Sequence, residues 1–465
     1  MNGWCLRRIC TVIALAASLL GPAFGQGTLT TIFTNGPTSN RINVVVLSEG
    51  YQTNQLGQFL VHATNAVNNL LSVPPYQEYR SYFNAFAISV ASPESGSDHP
   101  VSGVFRNTYF NSTYDPNYDR IISIPPDFAN TNYNQGQGKV DALLQQLMPE
   151  YDLAILLVND LQNGGSGGVT LISSINVGVA ELVRHESGHT FAGLGDEYET
   201  PYPGYTPTER PNATQQTNRS LIKWRAWIQD STPVPTPETN LYVNVVGLFQ
   251  GAQYQSNGWY RPRLYCKMGT LSPGTDFCEV CSEQIVKSIY GRLRPIDSFS
   301  PATTNVSVAS TQAVAFSVTT LQPTTHSLNV QWFTNGVAVT GATNPAYNLL
   351  PKSFSNGAHT VRAEVRDLTP LVRNDPANLL SNSIAWTLSI NLSELTLISP
   401  QWLAGDRFTF GVTGTAPQGF VLQASTNLLD WTSLSTNTLA GGKYNYTNAG
   451  ASGFLYRFYR TRVTP

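Results

Sequence analysis

Apolar positions follow two rhythms along this chain. In the first, residues 42–47 (Ile-Asn-Val-Val-Val-Leu) form a β-branched run that predicts a buried strand, and Leu56, Phe59, Leu60, Ala63 and Val67 recur at helical spacing. Residues 83–91 predict a second strand, residues near 140–147 a helix, and residues 153–158 the most apolar strand of the chain. Strands alternating with helices predict a largely parallel sheet covered on both faces. A glycine cluster at 164–168 precedes a further strand, 169–175, expected at a sheet edge beside the chemistry, where an extended substrate backbone could pair with it.

After about residue 295 the helical period disappears. Short alternating runs at 306–308, 313–318, 327–332 and 360–365, with Asn335-Gly336 and Asn356-Gly357 as turn signals, predict an all-β sandwich of immunoglobulin type with Trp332 in its core. From about residue 395, Phe408-Thr409-Phe410, residues 420–425, Trp431 and residues 456–460 predict a second β module similar to fibronectin type III. Its aromatics are expected to fill the core, with stacking on carbohydrate as the other use. Both modules are expected to be spacers, or docking units for a cell surface or polysaccharide.

Only 12 % of residues are charged and the formal net charge is −2, which leaves no basic footprint for nucleic acid. Residues 1–25 read as a signal peptide: Arg7 and Arg8, an apolar run over 9–20, and the small-residue site Ala23-Phe24-Gly25. The expected mature protein is exported and secreted, and no other stretch is long enough to span a bilayer.

The chemistry concentrates at His185-Glu186-Ser187-Gly188-His189. Apolar residues over 177–183 lead into it, and at helical spacing His185 and His189 project from one face and can take two positions of a tetrahedral zinc ion. Glu186 then lies beside a zinc-bound water, whose pKa falls from about 16 to about 7, and acts as its general base. Gly193 and Gly195 are expected to end the helix where a ligand-bearing turn begins. For the third protein ligand Asp196 is favoured, because a glycine-broken helix folds a short carboxylate back to the metal; Glu197, His99 and Asp276 are the rivals. Tyr198, Tyr260, Arg261 and His99 are candidates to contact substrate or stabilise an oxyanion.

The chain resembles the IgA-peptidase family of secreted zinc metallopeptidases. The likeness runs in order from Leu47-Ser48-Glu49-Gly50-Tyr51 through Phe83-Asn84-Ala85-Phe86, Pro93-Glu94-Ser95-Gly96-Ser97-Asp98-His99-Pro100 and Gly164-Gly165-Ser166-Gly167-Gly168. It continues through residues 185–198, Tyr260-Arg261-Pro262, Cys266-Lys267-Met268 and Phe277-Cys278-Glu279-Val280-Cys281. It implies a zinc endopeptidase holding one catalytic ion on His185, His189 and Asp196, with Glu186 as base. The immunoglobulin in the family's name describes the substrate of one characterised type of member and is not implied for this chain.

Removal of the signal takes away Cys5 and Cys10 and leaves Cys266, Cys278 and Cys281. One disulfide plus one leftover thiol is the expected use, in structural support; a second zinc on the three sulfurs is the sharper alternative, short of a fourth ligand. Met268, two residues after Cys266, resembles the methionine beneath the ligands of metzincins, although the spacing after His189 is one residue longer than theirs.

The predicted organisation is a signal peptide (1–25), an α/β zincin-like catalytic domain (26–295), an Ig-like sandwich (296–393) and a fibronectin-type-III-like module (394–465). The predicted function is a secreted zinc endopeptidase acting on protein or peptide substrates. A secreted adhesion protein with a non-catalytic metal domain and a zinc amidase acting on cell-wall peptides are the alternatives.

Overall fold

The computed structural model describes residues 27–309, 312–392, 395–414 and 418–463; the signal-peptide reading lies outside them. The chain is mostly β with sandwich-like sheets. It divides into two compact units, one formed by residues through Phe33, Val44–Val67 and Ala85–Glu186, the other by Thr34–Asn43, Asn68–Asn84 and the chain from Ser187 on. Among the described residues no helix is long and apolar enough to cross a membrane.

The first unit is organised by a six-stranded sheet. The elements around it, in chain order, are β1 (Thr28–Phe33), β2 (Ile42–Glu49), α1 (Leu56–Leu70), β3 (Phe83–Ser89), α2 (Gln137–Leu147), β4 (Leu153–Val158), β5 (Gly165–Ser166) and β6 (Leu171–Ser174), followed by α3 (Val179–Ala192), whose residues from Ser187 on belong to the second unit. The strand order is β1-β3-β2-β4-β6-β5. Strands β2, β4 and β6 run parallel in register Val44↔Leu153 and Ile155↔Leu171. Val45 and Leu47 enter one core with Leu143, Leu144 and Leu156, while Val44 and Val46 on the opposite face are equally buried. Burial on both faces is why β2 and β4 read as continuous apolar runs. Each fully buried Val or Leu there contributes about 1.5–3 kcal/mol.

The sheet is parallel over β2, β4 and β6, as expected, while β1 pairs antiparallel with β3 and β5 antiparallel with β6; one expectation is corrected. Strand β6 is not the edge: the glycine cluster folds back as β5 and pairs Gly165 with Ser173, so β6 has a neighbour on each side. A two-residue Gly-Ser strand carries no propensity signal, so it was unreadable from pattern.

In the second unit a hairpin of β7 (Phe249–Ala252) and β8 (Gln255–Arg261) precedes α4 (Glu279–Tyr290). Residues 296–390 then form a three-stranded and a five-stranded sheet. Phe316 and Leu349 from one sheet meet Trp332, Val361 and Trp386 from the other. Trp332 occupies the core as expected; Trp386, stacked on it at 5.8 Å between ring centroids, is a second core tryptophan. Asn335-Gly336 makes the expected hairpin turn, both residues having positive φ. Asn356-Gly357 joins no hairpin; the Asn356 amide instead brackets the backbone of Leu392.

This sandwich is not a free spacer. Asp367, 2 % exposed, accepts hydrogen bonds from Tyr79 Oη (2.8 Å) and Tyr290 Oη (2.6 Å) as well as from its own sandwich's His326 and Thr369. Tyr82 Oη donates to the Leu321 carbonyl at 2.8 Å. Arg41 forks onto both Asp297 oxygens at 2.9 and 3.0 Å.

In the last module, strands 396–403, 407–413 and 443–449 make one three-stranded sheet and strands 418–425, 432–439 and 458–463 another, around Phe410, Val412, Phe420 and Leu422. Its aromatics are divided: Phe410 and Phe420 are buried, while Trp402 and Tyr456 are 62 % and 65 % exposed and Trp431 lies under the Arg460 guanidinium at 4.1 Å. The expectation that all of them fill the core is corrected accordingly.

The Arg41 fork, partly offset by burial, holds the Asp297 carboxyl below its ordinary range. Its contribution is therefore present above the unfolded pKa of about 3.9 and is lost as pH falls through the lower folded value. Asp297→Asn should lower thermal stability at pH 7 by no more than about 1 kcal/mol, the scale of a partly exposed pair. That difference should shrink below pH ~4 in parallel thermal melts; an equal deficit at pH 3 would show that the ion pair is not its source.

Candidate metal centre

Helix α3 carries the His-Glu-x-x-His run, and its environment explains its sequence. Leu182, Val183 and Phe191 are at most 4 % exposed, and His185 (4 %), Glu186 (7 %) and Ser187 (0 %) are buried with them. The helix stops where Gly193 takes φ +66°, the left-handed conformation that closes a helix, and Leu194 N–H returns to the Gly188 carbonyl at 3.0 Å.

The turn after Gly193 delivers Asp196 to the histidines. One donor atom from each of His185, His189 and Asp196 lies within 4.8 Å of the others. His189 Nδ1 is 2.8 Å from the Leu194 carbonyl, which can only accept, so this nitrogen carries the proton and Nε2 is left as the donor toward the centre. His189 Nε2 and Asp196 Oδ1 are 3.3 Å apart, with side chains 19 % and 12 % exposed, so solvent or substrate can reach the group. Two imidazoles, a carboxylate and an approachable side form a donor set that fits a catalytic divalent metal.

Several residues position Asp196 that the sequence reading did not single out. Tyr254 Oη donates to Asp196 Oδ2 at 2.6 Å, and burial, followed by the Asp196 charge, keeps that phenol protonated. The Asp196 carbonyl accepts from Gln253 N at 2.9 Å. Gln253 and Tyr254 form the β7–β8 turn with φ +50° and +61°, a left-handed pair without glycine that costs on the order of 1–2 kcal/mol per residue. Asn212 spans Gly195, accepting from its N–H at 2.7 Å and donating to its carbonyl at 2.8 Å. No turn signature marks Gln253-Tyr254, so only the fold reveals it.

Met268 is fully buried against α3: a Cβ added at Gly188 would lie 2.5 Å from its Sδ. It therefore packs on α3 at Gly188, which lies between His185 and His189 in the chain. Glu197 turns the other way from Asp196. It joins Cys266, Cys278 and Cys281, all buried free thiols, in a second group with donor atoms within 4.8 Å. The expected disulfide is replaced by this cluster. Burial, then the nearby Cys266, raises the Glu197 carboxyl well above its ordinary range; at Cys278 burial would raise the thiol most, but hydrogen bonds with Cys266 and Cys281 together overcome it and bring it down to about 6.

The remaining candidates have contacts of their own. His99 pairs with Asp160 at 2.8 Å and stacks on Tyr114, and joins neither donor group among the described residues. The Asp276 carbonyl accepts from Lys267 N. The Arg261 guanidinium is committed to Glu199, Glu238 and the Gln250 and Gly251 carbonyls, which makes it a brace for β7 and β8. Tyr198 lies 6.0 Å from Tyr254 between ring centroids, and the Tyr260 backbone pairs with Thr214.

A donor set of this kind on a helix is one that metallopeptidases use, and the family match agrees with it. The chain matches the model of IgA Peptidase M64 over residues 30–244 and 238–289, more than half its length, and belongs to that family; the protein is a peptidase. No curated protein matches. Among solved structures, it is similar to fibronectin(III)-like modules of Clostridium thermocellum CbhA (11 % identity, 32 % of this chain and 77 % of that one, TM-score 0.16). It is also similar to Bacteroides uniformis beta-glucuronidase 3 (9 % identity, 72 % and 46 %, TM-score 0.14) and to chicken CNTN1 FN1-FN3 domains (8 % identity, 33 % and 53 %, TM-score 0.17).

Two substitutions check this geometry. Gly188→Ala should destabilise by about 1–3 kcal/mol through overpacking against Met268, Phe277 and Leu194, read by thermal unfolding; an unchanged melting temperature would mean that Met268 does not brace the helix. Tyr254→Phe should weaken metal affinity about 10–100-fold in chelator competition with the fold retained, the usual effect of removing a ligand's supporting hydrogen bond; wild-type affinity would remove Tyr254 from the site.

Proposed function

We propose that this peptidase is a zinc-dependent endopeptidase that works outside the cell on extended segments of protein substrates. The observation that carries the proposal is the convergence of His185, His189 and Asp196 on one side of a helix whose next residue after His185 is a buried glutamate. Imidazole and carboxylate donors with an open position suit zinc in a hydrolase. Export rests on the signal-like segment 1–25 and on the sparing use of charge.

The zinc ion supplies, when bound, a Lewis acid that polarises the scissile carbonyl and acidifies a water. Glu186 is the proton carrier: its carboxylate takes the proton of the attacking water and returns it to the amide nitrogen as the C–N bond breaks. His189 keeps one tautomer through the Leu194 carbonyl, so its Nε2 stays a donor throughout. Tyr254, by holding Asp196 Oδ2, fixes the third ligand's orientation without touching substrate. A buried glutamate next to His185 in the chain favours an enzyme over an adhesion protein, which would need no base there.

Glu186→Ala should leave one equivalent of zinc on the histidine site and the fold intact while lowering kcat on a peptide library by on the order of 10²-fold or more. Turnover equal to wild type would sink this mechanism, and a library left intact by wild type with zinc bound would move the function away from peptide hydrolysis.

A further inference from the structure

We propose that Glu197, Cys266, Cys278 and Cys281 form a second, closed metal site, suited to zinc, that locks the turn carrying Asp196. One donor atom from each lies within 4.8 Å of all the others, and all four residues are buried. The distances fit a shared ion. With zinc–sulfur bonds of about 2.3 Å and zinc–oxygen bonds of about 2.1 Å, a tetrahedron has sulfur–sulfur edges of about 3.8 Å and sulfur–oxygen edges of about 3.6 Å. Cys266 Sγ and Cys281 Sγ are 3.6 Å apart, and Cys281 Sγ is 3.6 Å from Glu197 Oε1. A disulfide needs about 2.05 Å.

Independent observations point to a ligand. Glu197 Oε2 is buried with no hydrogen-bond partner among the described residues, in a side chain only 4 % exposed. A carboxylate oxygen left so is costly unless a cation meets it. The backbone also prepares the sulfurs: Cys278 caps α4, Cys281 lies in its first turn, and Cys278 N–H donates to Cys266 Sγ at 3.3 Å. Three thiolates and a carboxylate exceed a divalent charge by two. Arg261 acts on the Glu197 carboxylate, and Lys267, fully buried, follows Cys266 in the chain.

Soft sulfur donors in a tetrahedral set select zinc among the common divalent ions, and four protein ligands leave no position for water, so this site is structural. Binding releases the thiol protons to solvent. Its effect reaches the catalytic group through one peptide bond, because Glu197 follows Asp196, and Glu197 N–H donates to the Met268 carbonyl at 2.8 Å. Glu197 is thereby the fourth ligand that the three cysteines lack.

The test is metal stoichiometry on the full chain purified without chelator, with peptide mapping after alkylation of the unfolded chain. Wild type should carry two zinc ions and yield alkylated Cys266, Cys278 and Cys281. Cys281→Ser and His185→Ala should each lose one ion, from different sites, which separates this proposal from the catalytic reading. One zinc in wild type that His185→Ala removes, or a disulfide among the three cysteines, would overturn it. Should Cys281→Ser fail to fold, cobalt-loaded wild type decides: strong thiolate-to-cobalt charge-transfer absorption that survives in His185→Ala is expected, and its absence rejects the site.

Discussion

Carboxylates taken out of water are the constraint on which this structure depends. Glu49, Asp196, Glu197 and Asp367 are all at most 9 % exposed, and a buried carboxylate is tolerated only when donors or cations replace its water. Glu49, at the end of β2, receives Thr108 Oγ1 at 2.5 Å and the N–H groups of Phe110 and Ser112 at 2.9 Å, so one side chain latches a long loop to the central sheet. Beside it Gly50, at φ +69°, comes so close to Gly96 that a Cβ would meet the Gly96 carbonyl oxygen at 2.1 Å. The Ser-Glu-Gly-Tyr and Glu-Ser-Gly-Ser stretches are therefore two halves of one loop anchor. Asp367 performs the same service for the first sandwich, converting a module into a fixed part of the second unit through Tyr79 and Tyr290.

Asp196 and Glu197 show what adjacent buried carboxylates can do. Successive side chains in an extended turn point apart, so one faces the histidines and the other the cysteines. Asn212 links them by holding the Gly195 backbone and donating to Glu197 Oε1 at 2.8 Å. Met268 serves both neighbourhoods as well, with its side chain against Gly188 and its carbonyl on Glu197 N–H. The turn that carries Asp196 is thus held from behind by contacts within the protein.

What could be read in the sequence was local. His185 and His189 are four residues apart on one helix, and Gly193 ends that helix within another turn, so helical period and capping chemistry sufficed. The long apolar strands were legible for the same reason. Choosing between Asp196 and Glu197 was a different problem, because the two are chemically alike and what separates them arrives from Asn212, Tyr254 and the cysteines, remote in sequence. The covering of β6 by Gly165-Ser166 and the seam at Asp367 were hidden likewise: a Gly-Ser pair has no strand propensity, and Tyr79, Tyr82 and Tyr290 look like ordinary core aromatics until their hydroxyls are seen to converge.

The strained turn at Gln253-Tyr254 completes the physical account. Two glycines there would remove a strain of on the order of 1–2 kcal/mol per residue and suit the hairpin better. They would also remove Tyr254 Oη from Asp196 and the Gln253 amide from the Thr208 backbone, which it meets at 2.6 and 3.1 Å. Local stability and site geometry conflict at this turn, and the residues present satisfy the site. A backbone held in an unfavourable conformation by contacts to a buried carboxylate of the candidate metal centre is strain in the service of preorganisation, and Tyr254 stands 58 residues along the chain from the carboxylate it orients.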